Sequence, residues 1–193
     1  MRLNELLACV GLDAAQFTNY KRRDQLPFHR QSEFSVAPGG SAQKKWTNYT
    51  LSDALRLQIM VNLSEYRSPD KATEPEISKR YDGLPPMAAS AIAGNGEGNA
   101  VAKYGSLSAI LNQRKDIWHV TMANASLHEG ELWYGMDHFA GTLVECTDMI
   151  EEKKEGQVRA ILFNVSQALQ KVLDAGEAHA IPEIVDFIVA ENA

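Results

Sequence analysis

Between Asp13 and Arg23 the chain carries Ala15, Gln16, Thr18, Asn19, Lys21 and Arg22, small and amide side chains first and basic ones last. In a major groove, small residues let a helix approach closely, a Gln or Asn amide pairs with an adenine edge through two hydrogen bonds, and Lys and Arg take phosphates. Phe17 and Tyr20 fall on the opposite side, with Leu12 as the entry anchor. This order of side chains predicts a helix that reads DNA bases with Gln16 and Asn19. A solvated amphipathic helix behind a glycine turn would share the pattern, so the flanking elements must decide.

Upstream, Leu3, Leu6, Leu7 and Val10 recur at helical spacing, one apolar stripe of a short first helix. Gly11 ends it, because glycine enters the left-handed region without a Cβ clash, and Asp13 then suits the N-cap of the second helix. Downstream, two short extended runs flank the turn Ala37-Pro38-Gly39-Gly40-Ser41 and predict a hairpin bearing Arg30, Lys44 and Lys45 as further phosphate contacts. Thr50 or Ser52 then caps a helix with Leu51, Ala54, Leu55, Ile59 and Leu63 at helical period and Asp53 in its first turn. The order is helix, turn, helix, wing, helix.

With those residues in place, residues 3–63 resemble the winged helix-turn-helix of the MerR family and its relatives, which include phage excisionase-type proteins. The resemblance rests on Gly11-Leu12-Asp13 at the turn, Phe17 and Tyr20 in the second helix, Arg22-Arg23 at its end, Leu26-Pro27 entering the wing, and Tyr49-Thr50 before the third helix. It implies DNA binding and places Tyr49 among the contacting residues. The chain departs from the family where Thr18 and Asn19 replace an arginine and the first of two aromatics, and where Thr47 replaces a wing arginine. The resemblance covers about a third of the chain.

Charge is divided along the sequence. Residues 1–67 hold nine Lys and Arg against six Asp and Glu, while residues 68–193 hold ten against nineteen, within a net charge of −6 over 193 residues. A basic head on an acidic body can meet DNA at one end, since phosphate contacts dominate nucleic-acid affinity. A surplus of this size suits two heads acting together, hence a homodimer. No run of eighteen apolar residues and no basic start followed by an apolar block occurs, so neither a membrane span nor a signal peptide is expected and the protein is expected in the cytoplasm.

Cys9 and Cys146 read as small core residues rather than ligands, and a lone Cys146 cannot make the cysteine loop of the metal-sensing branch of the family. His29, His119, His128, His138 and His179 include no pair at helical ligand spacing, so no metal and no other cofactor is expected. Gly94-Asn95-Gly96-Glu97-Gly98-Asn99 lacks a preceding strand and a following Lys-Ser or Lys-Thr, which excludes a nucleotide loop. No nucleophile-elbow pattern surrounds any Ser or His, and no enzymatic role is expected.

Pro69, Pro75, Pro85 and Pro86 interrupt the middle of the chain around a short helical piece at 76–81 and make 68–99 a linker. Beyond it, strand formers at 117–122 and 131–134 flank a polar turn at 128–130 and predict a hairpin. Phe139, Leu143, Cys146 and Ile150 predict an amphipathic helix, 160–163 a strand followed by a helix through Asp174, and Pro182 the first residue of a final helix. The expected class is α+β, with a winged helix-turn-helix over 1–67 and a small α+β domain over 100–193.

The second domain is expected to hold the homodimer together through the apolar stripe at 158–172, the final helix, and Trp133-Tyr134. Trp118, Trp133, Tyr134 and Phe139 suit a core or dimer interface better than a small-molecule effector pocket. The function expected from the sequence is a sequence-specific transcriptional regulator on double-stranded DNA. The alternatives are an excisionase-type architectural protein, marked by tandem sites beside an attachment site, and a protein-interaction adaptor that binds no DNA.

Overall fold

The computed structural model describes residues 1–28, 34–36, 42–44, 48–65, 89, 100–104, 106–112, 116–128, 131–153 and 157–191. The class is α+β: helices accompany a three-stranded antiparallel sheet and a separate two-stranded ladder. Two compact units divide the chain. One comprises Met1–Pro86 and Lys171–Ala193, the other Met87–Gln170. The sequence places 100–193 together, whereas its final stretch joins the unit of the N-terminal helices.

In the first unit, α1 (Leu3–Val10) buries Leu6, Leu7, Cys9 and Val10, while Leu3, expected in the same stripe, is exposed. Gly11 stops α1 at φ +64°, its amide donating to the Leu7 carbonyl. Then α2 (Ala14–Arg22) opens on a reciprocal cap in which the Asp13 carboxylate accepts from the Gln16 amide at 2.7 Å and the Gln16 side-chain oxygen accepts from the Asp13 amide at 3.0 Å. Strands β1 (Phe34–Val36) and β2 (Ala42–Lys44) pair antiparallel, with Phe34 opposite Lys44. Helix α3 (Leu51–Glu65) takes Thr50 as its cap, the Thr50 hydroxyl accepting from the Asp53 amide at 3.2 Å. It buries Leu51, Ala54, Leu55, Ile59 and Leu63 as its stripe predicts, and also Leu57, Gln58 and Met60, so more than one side of it is covered.

The second unit is built on β3 (Trp118–His128), which lies between β4 (Glu131–Gly141) and β5 (Gln157–Asn164), antiparallel to both. The hairpin expected around 128–130 forms, but with strands far longer than the short apolar runs predict. Phe139 pairs with Val120 inside β4, so it is not part of the following helix. That helix, α6 (Leu143–Glu152), begins one turn later because Thr142 and Glu145 form a capping box over its first turn. Short helices α4 (Ala100–Tyr104) and α5 (Leu107–Asn112) precede the sheet. One sheet face carries Val120 and Met122 against Cys146, with Trp118, Phe139, Met149, Ile150 and Leu162 around them.

Strand β5 runs directly into α7 (Val165–Ala178), where the Asn164 side chain accepts from the Gln167 amide at 2.8 Å and so caps the helix. The helix continues past Asp174 to Ala178. It ends with Ala180 left-handed at φ +50°, the Ala180 amide donating to Glu177 and the Ile181 amide to Gly176. No glycine marks that stop, which is why the sequence misplaces it. Helix α8 (Pro182–Glu191) starts at Pro182 as expected. Ile184 packs on Gly176 so closely that an added Cβ there would lie 2.2 Å from the Ile184 Cδ1. Among the described residues no helix is long and apolar enough to cross a membrane.

Candidate nucleic-acid interface

Two rings and one carboxylate set the pose of α2 within the first unit. Phe17, the buried residue of α2, meets the Tyr49 ring edge-on at 6.5 Å and 87°, and Phe28 meets the same ring at 5.7 Å. The Tyr49 backbone is pinned in turn, its amide donating to the Met1 carbonyl and its carbonyl accepting from the Met1 ammonium, both at 2.8 Å. Glu183 of α8 closes the frame. Its Oε2 accepts from the Met1 ammonium at 2.7 Å and its Oε1 from the Leu51 amide at 3.1 Å, so one carboxylate ties α8 to the start of the chain and to the first amide of α3.

The opposite side of α2 faces out. Ala15, Gln16, Thr18, Asn19, Lys21 and Arg22 are all exposed, as the sequence expects, while Tyr20 is half-buried. The helix contains no acidic residue and carries Lys21 and Arg22 in its last turn, with Arg23 as the C-cap. Beyond it Asp24 is left-handed at φ +52°, and the Gln25 amide donates back to the Tyr20 carbonyl at 2.9 Å. The basic end of α2 therefore finishes in a closed turn.

Side-chain hydrogen bonds sort the outward residues. The Gln16 carbonyl oxygen is occupied by the Asp13 amide, and the Thr18 hydroxyl donates to the Ala14 carbonyl at 2.7 Å. A bidentate adenine contact needs both the oxygen and the nitrogen of an amide, and in Gln16 that oxygen already accepts one hydrogen bond and is held against the backbone of its own turn. The Asn19 amide has no hydrogen-bond partner among the described residues. Tyr49, placed by resemblance among the DNA contacts, is half-buried in the aromatic packing beneath α2. Arg30 and Lys45 lie outside the described residues. Lys44 is described only as the end of β2, paired with Phe34.

A second chemically distinct place was hidden from the sequence. On the sheet face opposite Val120 and Met122, His119 is fully buried and its Nε2 lies 3.3 Å from the Nδ1 of His138, which is also 3.2 Å from the Thr121 hydroxyl. The His119 Nδ1 is buried with no hydrogen-bond partner among the described residues. Burial holds His119 neutral, lowering its pKa to about 3, with the neighbouring His138 acting in the same direction; burial also lowers His138, against the pull of Asp137. The signal lay in the hairpin. The antiparallel register that pairs His128 with Glu131 sets Thr121 opposite His138, and the pleat brings His119, two residues along, to the same face.

Burial, then the Glu5 carboxylate, pushes the Cys9 thiol up to about 11, and burial also raises Cys146, so neither is a ready thiolate. Among the described residues no group of three or more His, Cys, Asp or Glu could hold a metal ion. No family model, curated protein or solved structure matches this chain.

Proposed function

We propose that this protein is a sequence-specific regulator of transcription that binds double-stranded DNA in the cytoplasm as a homodimer, with residues 1–67 acting as a MerR-like winged helix-turn-helix. In this reading α2 enters the major groove, β1 and β2 form the wing, and no catalytic step, metal or cofactor is involved. The observation that carries it is the outward face of α2. That face is exposed, free of acids, small and amide-bearing at its start and basic at its end, on a helix anchored from behind by Phe17. Phosphate attraction then draws the helix end to the backbone while the earlier turns meet base edges.

The dimer contacts expected from the sequence need revision within this proposal. Val165, Ala168, Leu169, Val172 and Ile184 are buried within a single chain, so the stripe of α7 and the inner side of α8 are already covered. The side chains of Trp133 and Tyr134 lie outside the described residues. Among the described residues, the large apolar side chains that remain exposed are Leu3, Leu143, Val144 and Val189.

A second reading, a protein-interaction adaptor without DNA binding, draws support from charge. The unit of 1–86 with 171–193 holds thirteen Lys and Arg against fifteen Asp and Glu, so grouping the C-terminal helix with the N-terminal residues erases the basic surplus of 1–67. Selection of bound fragments from the source genome by the full chain separates the two. Enrichment of sites with paired half-sites about 34–36 Å apart supports the regulator. No enrichment, with no binding to any duplex at low salt, leaves the adaptor.

A further inference from the structure

The hydrogen bonding of α2 says more than that it faces outward. Ala15, Thr18, Asn19 and Arg22 stand at i, i+3, i+4 and i+7, one stripe about 10 Å long and opposite Phe17. Three base-pair rises cover about the same distance. Along this stripe the Thr18 hydroxyl gives its proton to the Ala14 carbonyl at 2.7 Å, so Thr18 has no donor left and offers a partner its methyl group and the hydroxyl lone pairs. Ala15 offers another methyl, and Asn19 offers an intact amide. Gln16 stands to the side of the stripe with its oxygen held by the Asp13 amide.

We propose, resting on the DNA-binding reading above, that the Ala15–Thr18–Asn19–Arg22 stripe selects an A·T-containing step in the major groove. Asn19 pairs with one adenine, Ala15 and Thr18 pack against thymine C5-methyl groups, and Arg22 takes a phosphate. The complementarity is chemical at each position. Adenine shows N7 as acceptor and N6 as donor, which match the N–H and the carbonyl of one amide, and thymine alone among the bases presents a methyl group to that groove. Arg22 supplies the charge complement, and no acidic side chain lies on the helix to oppose the phosphates. Gln16 is a positioning residue: it caps the first turn that carries Ala15, and the base contact is made by Asn19.

The test uses the full chain and a duplex recovered by selection from random sequence. Each thymine in turn is replaced by uracil, which removes only the C5-methyl, and each adenine by 7-deazaadenine, which removes only N7. The expected result is a loss of affinity of about tenfold at one adenine, and a smaller loss at a thymine within one or two steps of it. Asn19→Ala should lose affinity for the parent duplex and make the 7-deaza substitution silent at that adenine alone. Gln16→Ala should leave both atomic signatures in place while lowering the melting temperature. Circular dichroism at the binding temperature confirms that each variant is folded.

Binding that is insensitive to every uracil and 7-deazaadenine substitution, or an Asn19→Ala loss that is equal on all sequences, overturns this assignment while leaving DNA binding intact. Failure of the wild-type chain to bind any duplex at low salt overturns the DNA-binding reading itself, and this one with it.

Discussion

Acid should unfold this protein through one histidine more than through its surface carboxylates. His119 is completely buried beside His138, with no hydrogen-bond partner for its Nδ1 among the described residues and its pKa lowered to about 3 from an ordinary 6.5. Because the folded value is the lower one, the unfolded chain takes up the extra proton between those two values, and stability falls as pH falls through that window. The contribution is fully present above pH 6.5. At about 1.4 kcal/mol for each pH step of one, about 2 kcal/mol is lost by pH 5, rising to about 5 kcal/mol near pH 3. His138, whose pKa is also lowered by burial, adds to the loss.

His119→Leu removes the titrating ring at similar volume and leaves the Thr121 hydroxyl free to donate to the His138 Nδ1, 3.2 Å away. Urea unfolding followed by circular dichroism, run for both proteins from pH 7.5 to pH 4.5, isolates the effect as a difference between them. Carboxylates titrate in both and cancel. The variant should gain about 2 kcal/mol on the wild type between pH 7 and pH 5. Parallel curves would refute a buried neutral His119, and so would a wild type that gains stability on acidification.

Three further outcomes are expected. Ala180→Gly should stabilise the chain by about 1 kcal/mol, because Ala180 holds a left-handed φ of +50° at the end of α7, where glycine carries no Cβ penalty; a lower melting temperature would contradict it. Gly176→Ala should destabilise by about 1 kcal/mol, overpacking against the Ile184 Cδ1 and Cγ2 outweighing the gain in helix propensity, and should turn stabilising in an Ile184→Ala background; thermal melts that show the same sign in both backgrounds would refute the close α7–α8 approach. Lys21→Ala and Arg22→Ala should each weaken specific and random duplexes alike and lower the salt dependence of binding by about one unit; an unchanged slope removes that residue from the interface.

What the sequence determined by itself lies within about four residues of each signal. Gly11, Asp13 before α2 and Pro182 before α8 can be read directly, and Thr50 as one of two candidate caps of α3, because each of these residues acts on the backbone of its own turn. The exposed face of α2 could be read for the same reason, since one buried aromatic and a helical period orient the rest. The ends of β4 and α7 could not. Phe139 has the apolar character of a helix stripe yet pairs with Val120, and the stop after Ala178 carries no glycine.

Only the tertiary structure decided which distant groups meet. It assigned the C-terminal helix to the N-terminal unit through Glu183, and with it a charge balance that the first 67 residues alone do not have. It showed that Gln16 spends its oxygen on a cap while Asn19 does not. It also buried His119 beside His138, a pairing set by strand register and made consequential by the loss of water around both rings. Caps and turns are local hydrogen-bond problems with local solutions. Burial and charge are sums over neighbours that are remote in the chain, and only packing brings those neighbours together.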